Sequence, residues 1–313
     1  MKKTIRIIKN RSDIGAGTRG ADIGIDAMEI AAINGENDFF NRTAFTDVKT
    51  HNESIYDKVQ NSSAKRINFV VEQCQRVAEA VKKTLEKEEF PLVLSGDHSS
   101  ALGTIAGIKT KNPSQRLGIV WIDAHADLHT PYTSPSGNIH GMPLAAAMQV
   151  DHIKMKSNNP DKEALSAWEA LKTIGTNNPK FAPHDLVYFG VRDTETAEDI
   201  LIDNLNIKNY SVPEIRFRGI EKCTREAIEK LADCDAIYIT FDVDSLDCDL
   251  VSRGTGTPVS LGFTPNEVKT IISAFLKTDK VVAAEFTEIN PLLDNKGNFM
   301  AETAFDILYH CFG

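Results

Sequence analysis

Apolar and polar positions alternate along the chain in two distinct rhythms. Short apolar-rich runs occur at Thr4–Ile8, Pro91–Leu94, Leu117–Ile122, Asp185–Val191, Ala236–Phe241 and Lys280–Phe286, the one at Leu117–Ile122 uninterrupted. A strand covered on both faces reads this way. Between them lie stretches whose apolar residues recur every three or four positions. The clearest is Ala64–Glu88, with Ile67, Val70, Val71, Cys74, Val77, Val81 and Leu85 on one stripe, the mark of an amphipathic helix. Asp26–Ala32, Ser100–Thr110, Met142–Met148, Thr196–Ile202, Thr224–Ala232, Pro265–Leu276 and Ala301–Cys311 complete the predicted helices. Asn34–Ser62 and Met155–Pro179 are polar without a clear period and predict irregular surface segments.

Strands alternating with helices predict an α/β fold, a three-layer αβα sandwich around a mostly parallel sheet. There is no internal repeat and no linker-like tract, so residues 1–313 are expected to form a single catalytic domain.

The positions of the acids and imidazoles sharpen this picture. Asp97-His98 follows the run ending at Leu94, and Asp123-Ala124-His125-Ala126-Asp127 follows Ile122. Asp242-Val243-Asp244 follows Phe241, and Glu288 follows Phe286. In an open parallel sheet the carboxyl ends of the strands are where ligands bind. Four distant segments therefore point to one place. If the residues just past each strand stay extended, alternate side chains share a face, which groups Asp123, His125 and Asp127, and separately Asp242 with Asp244.

Four carboxylates packed together repel one another or take up protons, and cations remove that conflict. Two imidazoles and four carboxylates, without thiolate, suit Mn, Zn, Fe or Co, and six ligands exceed what one tetrahedral ion needs. A two-metal site that activates water is the economical reading. Asp97 is expected to accept a hydrogen bond from an imidazole and fix its tautomer. Glu195 and Glu198 read equally well as the acidic first turn of a helix. His51, His152, His184 and His310 have no partner motif and read as structural or surface residues.

Composition narrows the partners. The formal charge is −9 with 44 acidic and 35 basic residues, and no basic stripe of the kind that tracks nucleic-acid phosphates is visible. No 18-residue apolar stretch exists, and Met1–Lys9 lacks the apolar core of a secretory signal. Five cysteines without CxxC spacing suit a reducing compartment, so a cytoplasmic protein with no nucleic-acid or membrane partner is expected.

Three motifs, SGDHS (Ser95–Ser99), WIDAHAD (Trp121–Asp127) and FDVDSLD (Phe241–Asp247), resemble the signatures of the ureohydrolases, the family of arginases, agmatinases and formimidoylglutamases. SPSGNIHGMP (Ser134–Pro143), RGADIG (Arg19–Gly24), GVRDTET (Gly190–Thr196), GTGTP (Gly254–Pro258) and EINP (Glu288–Pro291) place the resemblance closest to the arginase branch. The resemblance implies two Mn²⁺ ions per subunit. His98, Asp123, Asp127 and Asp242 hold one, Asp123, His125, Asp242 and Asp244 the other. It implies Glu288 against the substrate guanidinium, His140 as proton shuttle and Asp127 as proton relay. It puts Ser136, Asn138, His129, Glu195 and Thr257 at the substrate, and the Arg192-Asp193 segment near its α-amino group. The implied reaction is hydrolysis of L-arginine to L-ornithine and urea by a hydroxide bridging the ions, in a homotrimer or hexamer. An agmatinase-like or other guanidino-compound hydrolase is the alternative. His129 and Glu195 stand where arginases usually carry Asn and Asp, and both positions belong to recognition of the amino-acid end.

Overall fold

The apolar runs become the strands of one sheet in a computed structural model that describes residues 4–313. Met1–Lys3, part of the stretch read for a targeting signal, lie outside the described residues. The strands are β1 (Ile5–Asn10), β2 (Phe45–Asp47), β3 (Phe90–Ser95), β4 (Leu117–Ile122), β5 (Leu186–Phe189), β6 (Lys208–Tyr210), β7 (Ala236–Asp242) and β8 (Val281–Thr287). They pair in the order β2-β1-β3-β8-β7-β4-β5-β6, and every pairing is parallel.

The sandwich expected from the alternation is what forms. On one face Leu92, Leu94, Val120, Ile122 and Phe241 pack against α1 (Gly24–Asn34), α8 (Val212–Arg218), α9 (Ile220–Lys230), α10 (Pro265–Leu276) and α11 (Phe299–Phe312). On the other, Val93, Ile119, Trp121 and Tyr238 pack against α3 (Ile67–Glu86), α4 (Ala101–Lys111), α5 (Pro143–Met148) and α6 (Lys162–Lys172). α3 buries Ile67, Val70, Val71, Cys74, Val77 and Val81 of the predicted stripe.

The irregular expectations were incomplete. Asn34–Ser62 contains α2 (Phe39–Arg42) and the edge strand β2, and Met155–Pro179 contains α6. β2 and β6 carry no apolar alternation, because a three-residue edge strand is held by its backbone ladder; β2 leaves its side chains exposed or half-buried, and β6 buries only Tyr210. Thr196–Ile202 lies within α7 (Thr196–Leu205).

Strand order is what builds the site. β3, β8, β7 and β4 are consecutive neighbours at the centre of the sheet, and theirs are the carboxyl ends that precede the acid and imidazole motifs. The loop after β1 folds over the same end. Gly15 and Gly96 permit this: a Cβ on Gly96 would stand 2.3 Å from the Ser12 carbonyl, and one on Gly15 2.7 Å from Asp97 Oδ1.

Candidate metal centre and the cleft above it

β3 ends at Ser95, and His98 begins a short helical turn that leads into α4. The His98 ring is stacked on Trp121 with centroids 4.1 Å apart. Its Nε2 meets Thr240 Oγ1 at 2.8 Å. Both contacts turn Nδ1 towards Asp123 Oδ2, Asp127 Oδ2 and Asp242 Oδ2, at 3.0, 3.2 and 3.3 Å. None of the three has hydrogen-bond geometry to Nδ1, and Asp127 Oδ2 likewise has no hydrogen-bond partner. Both atoms are fully buried, where an unpaired polar atom is costly.

The second group adjoins the first. His125 Nδ1 lies 2.9 Å from Asp244 Oδ2 and 3.5 Å from Asp123 Oδ1. Asp123 therefore belongs to both His98–Asp123–Asp127 and Asp123–His125–Asp244. Ligand bonds of about 2.1 Å meeting at right angles put neighbouring ligand atoms about 3 Å apart. The observed spacings match that, and the orphaned His98 Nδ1 and Asp127 Oδ2 point the same way. The donor set fits a pair of divalent cations.

The way these residues converge differs from the extended alternation expected from the sequence. Asp123–His125 form a bend, and Asp242 caps a turn formed by Val243–Ser245, accepting from the Asp244 amide at 2.9 Å. Asp127 has φ +52° and Glu288 φ +65°, left-handed backbone that costs a non-glycine residue on the order of 1 kcal/mol. Asp97 also departs from expectation. Its carboxylate accepts the Gly15 and Ser99 amides, both at 2.9 Å, rather than an imidazole. It ties the β1 loop to the His98 turn.

Electrostatics show the strain of an anion cluster. Burial first, then repulsion by Asp244 and Asp123, drives Asp242 well above the usual carboxylate range. Burial and the Asp123 charge push Asp127 up to about 6. Burial opposes charge on His98 and His125, yet the surrounding carboxylates raise both well above the ordinary imidazole value. Cations can take the place of the protons these groups otherwise compete for.

A cleft of about 280 Å³ opens above this cluster. His98, His125, Asp127, His129, Ser136, Asn138, His140, Asp193, Glu195, Glu198, Asp242, Asp244 and Thr257 line it, so nearly every residue singled out in the sequence meets there. Asp123 and Glu288 lie beneath. Glu288 is 2% exposed, and its Oε1 accepts both the His98 amide at 3.0 Å and His140 Nδ1 at 2.9 Å. Thr257 donates to Asp244 Oδ2 at 2.9 Å, so its hydroxyl orients a carboxylate.

The helix-start reading of Glu195 and Glu198 is what the structure shows. They form a reciprocal capping box at the start of α7 and also wall the cleft. His129 Nε2 meets Glu195 Oε2 at 2.8 Å. Burial and the Glu195 carboxylate push Glu198 up to about 9. Of the Arg192-Asp193 pair, only Asp193 lines the cleft. The Arg192 guanidinium donates to the carbonyls of Gly190, Asp244, Val259 and Ser260 and braces the loops from below.

A full-length comparison decides the family. The arginase family model matches residues 3–313. The chain belongs to the arginase family. Among curated arginase-family relatives, the arginase of Bacillus subtilis is 34% identical over 315 residues, covering 100% of this chain and 99% of the relative. The solved arginase of Bacillus caldovelox is 34% identical with a TM-score of 0.85, covering 99% of this chain and 98% of that one. The solved arginase of Bacillus cereus is 32% identical with a TM-score of 0.83, covering 99% of each. The chain is thus a hydrolase of the arginase family, as the motifs implied.

Sequence reasoning missed Thr240 and Trp121 as partners of this arginase-family centre. Each lies inside an apolar strand, where Thr and Trp are ordinary strand formers. Their contacts predict a measurable effect. Thr240→Val keeps the shape but removes the oxygen that holds His98 Nε2. The dissociation constant for Mn²⁺, titrated into metal-stripped protein, should rise about 10–100-fold. An unchanged constant would mean that stacking on Trp121 alone orients the ring.

Proposed function

We propose that this protein hydrolyses the guanidinium group of L-arginine, giving L-ornithine and urea, with two Mn²⁺ ions bound per chain. The observation that carries the reading is the pair of carboxylate–imidazole groups sharing Asp123 at the floor of the cleft. His98, Asp123, Asp127 and Asp242 would hold one ion, and Asp123, His125, Asp242 and Asp244 the other. When bound, such a pair would lower the pKa of a water molecule and so supply a nucleophilic hydroxide at neutral pH.

The chain's own residues do the rest. Glu288 attracts the cationic guanidinium from below the cleft, a match of carboxylate to planar cation. Its Oε2 takes no hydrogen bond among the described residues and remains free for that contact. Asp127 would take the proton of the attacking water and return it to the departing amine. His140 Nδ1 is held by Glu288, which leaves Nε2 to exchange protons with solvent. Ser136, Asn138, His129, Glu195 and Thr257 form or support the wall that receives the amino-acid end.

The same reading makes residues 1–313 one catalytic domain, supported by the single sheet that contains every strand among the described residues. The cysteines, none of them disulfide-bonded, support a cytoplasmic location. Among the described residues no helix is long and apolar enough to cross a membrane. Assembly as a homotrimer or hexamer belongs to the proposal on the family resemblance, and the lack of a nucleic-acid partner on the acidic balance without a basic stripe.

The test is urea release from L-arginine, agmatine and a guanidino acid, assayed in parallel on chelated and Mn²⁺-reloaded protein. L-arginine should be turned over fastest, with activity lost on chelation and restored by Mn²⁺. Turnover that survives in protein shown to be metal-free overturns the metal reading. Preference for agmatine overturns the substrate.

A further inference from the structure

Beneath the metal centre lies a carboxylate that the reaction does not use. Glu285, in the middle of β8, is 0% exposed. Its Oε1 accepts from Ser95 Oγ at 2.7 Å, and its Oε2 from Thr104 Oγ1 at 2.5 Å and Tyr238 OH at 2.7 Å. Three hydroxyls converge on its two oxygens, a donor set that suits the acceptor-only form of a carboxylate. Among the described residues no Lys, Arg or His forms an ion pair with it. A buried anion without a cation is strongly disfavoured.

Its position accounts for it. Glu285 is the cross-strand partner of Thr240, and residues directly opposite share a face of the sheet. Thr240 holds His98 Nε2. Ser95 ends the strand that leads to His98, and Thr104 belongs to the helix that follows it. The carboxylate thus lies beside the threonine that holds the His98 imidazole, and its hydroxyl partners come from the strand before His98, the helix after it and the strand that carries Thr240. We propose that Glu285 is a positioning residue whose buried negative charge, held by Ser95, Thr104 and Tyr238 beside Thr240, strengthens binding of the divalent cations. This rests on the metal reading above.

The proposal predicts effects of opposite sign on the metal-free and metal-loaded protein. Glu285→Gln removes the charge and keeps the size, and its three hydroxyl partners can turn to accept as well as donate. Metal-stripped Glu285→Gln should melt at or above the temperature of stripped wild type. Its Mn²⁺ dissociation constant, measured by calorimetric titration, should be about 10–100-fold weaker. Glu285→Asp, which keeps the charge, should recover most of that affinity. A merely structural brace gives the reverse, a lower melting temperature for stripped Glu285→Gln. That result, failure of the variant to fold, an unchanged Mn²⁺ constant, or no recovery by Asp each overturns the proposal. Wild type that binds no Mn²⁺ overturns the metal reading itself, an outcome read separately in the same titration.

Discussion

Asp123→Asn should abolish turnover and empty the centre of metal. Asp123 is 1% exposed and belongs to both carboxylate–imidazole groups. Each of its oxygens is already in use. Oδ2 accepts from Trp121 Nε1 at 2.9 Å, and Oδ1 from the His125 amide at 2.7 Å. An Asn amide has one acceptor oxygen. Whichever way it turns, its NH₂ faces an N–H donor, and neither orientation presents two anionic oxygens to cations. Loss of a shared ligand acts on both ions together. The expected fall in kcat is more than about 10³-fold, roughly 4 kcal/mol of transition-state stabilisation. Metal content by elemental analysis should drop well below that of wild type. The chain should still fold, since the buried donor conflict costs only about 1–3 kcal/mol. Circular dichroism checks that. Near-full metal occupancy with near-full turnover would remove Asp123 from the shared position.

How much of this was legible in the sequence follows from how the site is built. His98, Asp123, His125, Asp127, Asp242, Asp244 and Glu288 sit within a few residues of a strand end. The short apolar runs therefore located them before any geometry was known. The partners that orient them were not legible for the opposite reason. Thr240 and Trp121 lie inside strands, and only pairing β7 to β4 and packing His98 against them reveals their use. Glu285 is a charge inside an apolar run, a visible anomaly whose meaning depends on three hydroxyls from three other elements. Asp97 was misread because its partner Gly15 is 82 positions away, in a loop whose path the local sequence does not specify. The left-handed backbone at Asp127 and Glu288 was invisible because glycine is the usual sign of positive φ, and neither is glycine. The short strands β2 and β6 were missed because edge pairing leaves no side-chain rhythm to read.

His140→Asn should separate proton traffic from metal binding. The imidazole lines the cleft but belongs to neither carboxylate–imidazole group. Metal content should therefore stay near wild type while kcat falls about 10²–10⁴-fold, the usual worth of a positioned general acid or base. His125→Asn, by contrast, should shed metal. The pH dependence of stability tests the His140–Glu288 contact independently of activity. Burial opposes the imidazolium, but Glu288 at 2.9 Å, with Asp97 and Asp127 beyond it, outweighs burial and lifts His140 to about 9. A folded value above the unfolded one of about 6.5 means the folded state binds the proton more tightly. The resulting stabilisation, on the order of 3 kcal/mol, is fully present below about pH 6.5. It declines as pH rises and is gone above about 9. Metal-stripped wild type should accordingly lose melting temperature between pH 6.5 and 9 more steeply than metal-stripped His140→Asn. Comparing the two cancels the contributions of His98 and His125, which both proteins retain. Parallel melting curves across that window would show that Glu288 does not hold a charged His140. Equal metal loss in His140→Asn and His125→Asn would erase the distinction between shuttle and ligand.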